Sequence, residues 1–205
     1  MLAHYCNDRL TDKNTVHSYI DLYQELLAHK RDTATHILEV GIGPYQPNGG
    51  SILMWAGYFQ NAEIHTLDII SINNVHSELI SHPRIHLHTQ QDAYNPLIVK
   101  NTFSSKGMKF DMILDDGPHT LDSMTQFIRL YSPLLKEDGI LIIEDVQAIE
   151  WMDTLREATP NALKAGIEVY DRRSVKGRYD DLVFVIHRTP RVASASVASA
   201  SVASA

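Results

Sequence analysis

The chain has 205 residues, a formal charge of −7, 44% hydrophobic residues and 21% charged residues. That length and mixture suit one folded domain with a sizeable core. An acidic balance offers no basic footprint to phosphate backbones, so no nucleic-acid partner is expected and a small or neutral substrate fits better. With Cys6 as the single cysteine, neither an internal disulfide framework nor a thiolate zinc site is available, and a reducing, cytoplasmic setting is expected. Residues 1–9 are too polar for a signal peptide, and no apolar run approaches the roughly 20 residues of a membrane span.

In chain order, residues 15–29 come first, with Val16, Tyr19, Ile20, Tyr23, Leu26 and Leu27 forming a helical stripe. Residues 1–33 therefore read as a helical arm placed to cover the entrance of a site. Beyond them, short apolar runs alternate with longer amphipathic segments. Strands are expected at 36–40, 64–69, 85–89, 110–114, 140–143, 166–170 and 182–187, and helices at 51–59, 72–81, 95–103, 121–135 and 149–158. This alternation predicts a mostly parallel sheet with helices on both faces. Residues 171–181 are too few and too polar for a crossover helix, so the last two strands should pair antiparallel. The main domain is bounded at 34–190, and 191–205, a Val-Ala-Ser-Ala-Ser repeat with nothing large to bury, reads as a low-complexity tail.

In an open parallel sheet, ligands collect beyond the carboxyl ends of the strands. Gly41 and Gly43 follow the first strand, where a tight turn can bring backbone close to a ligand; Gln46 stands where a dinucleotide fingerprint needs its third glycine. Ser51 is placed to cap the next helix and to hold a carboxylate there. Asp68 ends the second strand, where it can accept from a ribose diol or simply cap the following turn. Gln90 and Gln91 end the third, where side-chain amides can read an adenine edge or serve only as polar loop residues. Two further strands end in Asp115-Asp116-Gly117-Pro118-His119 and in Glu144-Asp145. Crowded carboxylates repel one another, and a hard divalent cation such as Mg²⁺ relieves that repulsion. Taken singly, these clusters also read as a turn, a helix cap and a solvated strand end. Their convergence beside a glycine loop favours the metal.

Thr11-Asp12-Lys13, His17, Tyr19, Tyr23, Glu39 to Gly43, Gly50-Ser51, Trp55, Asp68, Asp116 to His119 and Glu144-Asp145 together resemble the metal-dependent sugar O-methyltransferases of macrolide biosynthesis and the cephalosporin hydroxylase-like proteins. The resemblance spans roughly residues 10 to 187. It implies the Rossmann-like class I methyltransferase fold, an α/β sheet of seven strands in the order 3-2-1-4-5-7-6 with the last strand antiparallel. It also implies S-adenosylmethionine as donor, with Lys13, Glu39, Gly41, Gly43, Ser51, Asp68, Gln90, Gln91 and Asp115 on the donor side. Mg²⁺ or Mn²⁺ would be held by Asp116, Glu144 and Asp145, with His119 as general base. The acceptor implied is a sugar, a deoxyhexose such as rhamnose, free, nucleotide-linked or in a glycan.

Two features depart from the family: Gln90 stands where an acidic residue is usual, and no long insertion is present to enclose a large substrate. A catechol-type O-methyltransferase and a noncatalytic glycan-binding module are the alternatives; an oxygenase lacks its His-x-Asp and distant His ligands. His82, His86 and His88 have no zinc spacing and read as surface or satisfied residues. Arg172, Arg173, Lys176 and Arg178 form a basic hairpin, either a solvated loop or a contact for a diphosphate, glycan or partner. An oligomer is compatible with this composition.

Overall fold

The computed structural model describes residues 1–44 and 46–191, so the expected tail falls, from 192 on, outside the described residues. Its seven strands are β1 (His36–Val40), β2 (Glu63–Leu67), β3 (Ile85–His88), β4 (Phe110–Asp115), β5 (Leu135–Ile143), β6 (Ile167–Asp171) and β7 (Leu182–His187). They form one sheet in the order β3-β2-β1-β4-β5-β7-β6, as expected. β1 to β5 run parallel, and β7 is antiparallel to both of its neighbours.

Alternate residues of each central strand enter opposite cores, which is why these strands read as unbroken apolar runs. Ile37, Ile64, Met112 and Ile142 pack against α1 (Ile20–Leu27) and α2 (Gly50–Tyr58). Leu38, Leu67, Ile113 and Leu141 pack against α4 (Pro96–Thr102), α5 (Leu121–Tyr131) and α6 (Trp151–Ala158). The short α3 (Ser77–Ser81) closes the first face. On α5, Met124, Phe127, Ile128 and Tyr131 follow the helical period, and each such burial contributes about 1.5–3 kcal/mol.

Three helices are shorter than the pattern suggests by more than two residues. α5 starts cleanly because Thr120 and Ser123 form a reciprocal cap, and it stops at Tyr131 because Ser132-Pro133 tightens the chain into a 3₁₀ turn. The expected 72–81 helix is broken into a 3₁₀ turn (Ile72–Asn74) and α3, because Asn48 bonds the Asn74 carbonyl at 2.9 Å and the His76 N–H at 3.0 Å. In the arm only α1 is α-helical, with 3₁₀ turns at Leu2–Tyr5 and Ala28–Lys30. Before it the N–H groups of Val16 and His17 both bond the Asp12 carbonyl, a set of turns that aims Lys13, His17 and Tyr19 inward.

Candidate active site

The carboxyl ends of β1, β2 and β4 are laced together by backbone. Gly41 has φ +104°, and a Cβ there would lie 2.1 Å from the Asp116 carbonyl oxygen, so only glycine lets the β1 loop cross the end of β4. Asp68 accepts from the N–H groups of Ile42 at 2.7 Å, Gly43 at 3.3 Å and Ile70 at 3.0 Å. It thus shapes the glycine loop, and a carboxylate's remaining lone pairs stay available to a ligand.

Glu39 lies beneath that loop, fully buried, taking hydrogen bonds from the Ser51 hydroxyl and the Trp55 indole, each at 2.5 Å. Burial pushes its carboxyl up to about 7 against the pull of Lys13. Ser51 is therefore not the helix cap expected of it. Gly49, at φ +70°, holds that position, and the Ser51 hydroxyl turns down to Glu39.

Two cavities open on either side of the β4 end. One, of about 530 Å³, is mostly apolar and includes Gly41, Asp68, Ile69, Ile70, Gln91 and Tyr94. The other, of about 470 Å³, is polar and includes Arg9, Thr11, Asp12, Asn48, Ser51 and His119. Gly43, Pro44, Asp116 and Gly117 line both. Gln90 lines neither; it is exposed, with its N–H on the Ile70 carbonyl.

At the shared wall stands the acidic centre. Asp116, His119 and Asp145 each bring a ligand atom within 4.8 Å of the others. His119 Nε2 is 3.7 Å from Asp116 Oδ1 and 3.7 Å from Asp145 Oδ2. Glu144 is turned the other way: one oxygen takes the Lys13 ammonium and the other the Tyr23 hydroxyl. Of the three residues expected as ligands, Asp116 and Asp145 come together, joined by His119, whereas both Glu144 oxygens are taken by Lys13 and Tyr23.

Among the described residues, three non-glycine residues have left-handed backbone, Gln90 at φ 56°, His119 at φ 53° and Asp145 at φ 54°, and each follows the end of a strand. Such conformations cost of order 1–3 kcal/mol and gather where function dictates the backbone.

The arm supplies the cations and donors for this centre. Lys13 is 2% exposed and donates to Asp116 Oδ2 at 2.7 Å as well as to Glu144. Tyr19 donates to Asp145 Oδ1 at 2.5 Å. His17 Nδ1 lies 3.2 Å from Asp145 and 2.7 Å from Asp181, and Ser18 donates to Asp181 at 2.8 Å. Burial raises the Glu144 carboxyl well above its ordinary range despite Lys13. Asp116 is held below its ordinary value because Lys13 and His119 outweigh burial. Asp145 is raised by burial and by Asp116, against His17 and Tyr19.

The basic hairpin has a role that composition did not reveal: it holds the arm. Arg172 pairs with Asp21 at 2.6 Å and donates to Ser18, while Lys176 of α7 (Arg173–Lys176) caps the carbonyls of Asn14 and His17. Tyr94 carries no motif and was not expected in the site. It donates to Asp115 at 2.5 Å and crowds Gly117, where a Cβ would lie 1.9 Å from the Tyr94 oxygen. Burial pushes Asp115 up to about 7, with the Tyr94 bond and a backbone bond from Gly117 opposing it. A tyrosine in a loop has no sequence signal of its own, so only the fold could reveal it.

This strand order, with a glycine loop after β1 and an acidic β2 end, decides the architecture. The chain has the class I methyltransferase fold. A methyltransferase of the mycinamicin pathway, MycE, solved with Mg, S-adenosylhomocysteine and mycinamicin VI, superposes with a TM-score of 0.67 at 18% identity, over 90% of this chain and 51% of that one. In sequence the methyltransferase-fold chain is related to named sugar O-methyltransferases. It is 31% identical over 145 residues to the 8-demethyl-8-alpha-L-rhamnosyl tetracenomycin-C 2'-O-methyltransferase of Streptomyces olivaceus, covering 69% of this chain and 36% of the relative. It is also 31% identical over 139 residues to the L-olivosyl-oleandolide 3-O-methyltransferase of Streptomyces antibioticus, covering 66% and 34%. The chain thus spans about a third of the length of the curated relatives it matches. No family model matches it.

Proposed function

We propose that the protein transfers a methyl group from S-adenosylmethionine to a sugar hydroxyl, at an acidic centre that takes Mg²⁺ or Mn²⁺. The observation that carries this reading is the convergence of Asp116, His119 and Asp145 at the wall between an apolar and a polar cavity. The apolar cavity suits the adenosyl donor: Ile69 and Ile70 offer faces for a base, Gln91 an amide edge, and Asp68 its spare lone pairs for a ribose diol. Asp115, fixed by Tyr94, belongs to the donor side.

The polar cavity suits the acceptor. Its described lining includes no Phe, Tyr or Trp, and hydroxyl, amide and charged groups dominate, which favours a polyol over the flat ring of a catechol. The relatives named for rhamnosyl and olivosyl substrates make a deoxyhexose our first choice. The arm, held by Lys176 and Arg172, forms one side of this cavity and covers the acceptor.

The donor set fits a hard cation: carboxylate oxygens predominate, and an imidazole stands at the margin. Asp116 and Asp145, with Glu144 beneath, would hold it. When bound, the ion would supply Lewis acidity and a template for a diol. His119 lines the polar cavity from a left-handed turn, and it takes the hydroxyl proton as the carbon–oxygen bond forms, a contribution of about 10²–10⁴ in rate. Mass spectrometry after incubation with donor, Mg²⁺ and a panel of deoxysugar and catechol acceptors tests the reading. Methylated sugar supports it, methylated catechol alone replaces it with the aromatic reading, and no methyl transfer to any acceptor together with no donor binding refutes it.

A further inference from the structure

Lys13 is the lysine that joins the acidic centre. Its side chain is 2% exposed, and its ammonium donates to Asp116 Oδ2 at 2.7 Å and to Glu144 Oε1. A surface lysine reaching a carboxylate would be free to leave; this one is not. Its carbonyl is fixed by the Tyr19 N–H at 3.0 Å, and the next turn of the arm is fixed by Lys176. On the other side, Leu10 sits against α2 so closely that a Cβ on Gly50 would lie 2.4 Å from the Leu10 carbonyl. The ammonium is built in, on an arm clamped at both ends.

Its two partners belong to the centre proposed to take the divalent cation, so its role rests on that reading. Asp116 is shared between two sides. Oδ2 faces Lys13, whereas Oδ1 faces His119, as does Asp145 Oδ2. Three carboxylates and one divalent ion leave a net charge of about −1, and one ammonium brings the sum to zero by simple counting, which matters most on the buried side, where Lys13 and Glu144 are 2% and 1% exposed.

We infer that Lys13 is a tethered counter-charge of the acidic centre: it competes for Asp116 and Glu144, weakens the grip on a divalent cation, and directs that cation to the Asp116 Oδ1–Asp145 Oδ2 side facing the polar cavity. Lys13 is thereby a positioning residue. By holding Asp116 Oδ2 and Glu144, Lys13 would leave a bound cation fewer carboxylate oxygens and more positions for a diol. Asp116 Oδ1 and Asp145 Oδ2, each 3.7 Å from His119 Nε2, would then be the oxygens offered to the cation.

Mn²⁺ binding, read by electron paramagnetic resonance of the free ion without any donor or acceptor, tests this on Lys13→Met, with Lys100→Met on the exposed face of α4 as control. Removal of the competing charge should tighten Mn²⁺ binding about tenfold or more, while the control stays at the wild-type value. Unchanged or weaker binding in a folded Lys13→Met protein overturns the inference. A second measurement on unaltered protein guards against a variant that fails to fold: the Lys13 ammonium resonance, followed by ¹⁵N NMR during stepwise addition of Mg²⁺, should shift and saturate with the ion. A resonance unmoved at saturation overturns the inference while leaving the metal reading intact. Wild-type protein that binds neither ion overturns both.

Discussion

Two clusters of titratable side chains lie on the same sheet, and they differ in nearly every respect that matters for chemistry. On the β1–β3 half, His36, His65, His86 and His88 stack against one another under Phe103 and Phe110, with His65 and His86 ring centres 4.5 Å apart and His65 Nδ1 3.3 Å from His88 Nε2. His65 and His88 are held neutral: burial and its histidine neighbours push His65 down to about 3, and burial with Lys106 pushes His88 down to about 4. No three ligand atoms from this cluster come together among the described residues. At the strand ends, by contrast, carboxylates meet beside an internal ammonium, on left-handed backbone, at the wall of two cavities. Density of titratable groups does not distinguish the two. Strain, an opening to solvent and a counter-ion do.

The largest effect that could break this contrast is at His119. In His119→Ala we expect kcat to fall about 10²–10⁴-fold with donor affinity kept, measured by methyl transfer and by calorimetry. An accompanying loss of Mn²⁺ affinity would make the imidazole a ligand rather than a base. Next comes the response of the histidine cluster to acid. Because His65 and His88 titrate lower in the folded chain than unfolded, the unfolded chain binds more protons between those limits. The contribution of these two histidines should therefore be complete above about pH 6.5 and be lost as the pH drops toward 4 and 3, whereas the raised Glu39 and Asp115 carboxyls act in the opposite sense, so it is read as the difference between wild type and a His65 variant in denaturant melts. His65→Phe should flatten that slope while leaving donor binding untouched.

Smaller effects sharpen the contrast. Tyr19→Phe removes the donor on Asp145 and should weaken Mn²⁺ binding about 10- to 100-fold, the range for an outer-shell partner of a metal ligand. Thr120→Ala removes the cap of α5, directly after the Asp116–His119 turn, and should cost about 1 kcal/mol in thermal or denaturant unfolding with little effect on ion affinity.

The sheet was legible from sequence because its central strands are buried on both faces and so read as continuous apolar runs, and because residues 171–181 left no room for a crossover. The acidic centre was legible because Asp116 and Asp145 sit where β4 and β5 end, and position beyond a strand is a sequence property. What escaped was set by contacts distant in sequence. Ser51 looked like a cap because its buried partner Glu39 lies twelve residues earlier on a different element. Arg172 and Lys176 looked available to a ligand because the arm they hold is more than 150 residues away. Glu144 read as the equal of Asp145 because adjacency on a chain does not show that one side chain turns under the sheet's end toward Lys13 and Tyr23.

If the glycine loop and the acidic centre form one donor-and-ion site, the donor's demethylated product should bind beside the ion without needing it. Isothermal titration calorimetry of the folded protein with S-adenosylhomocysteine, with and without Mg²⁺, reads this out. One molecule should bind per chain in both conditions, with Asp68→Ala weakening it and Asp116→Asn retaining it. Absence of any binding heat from folded wild-type protein at millimolar ligand would contradict a donor site at the glycine loop.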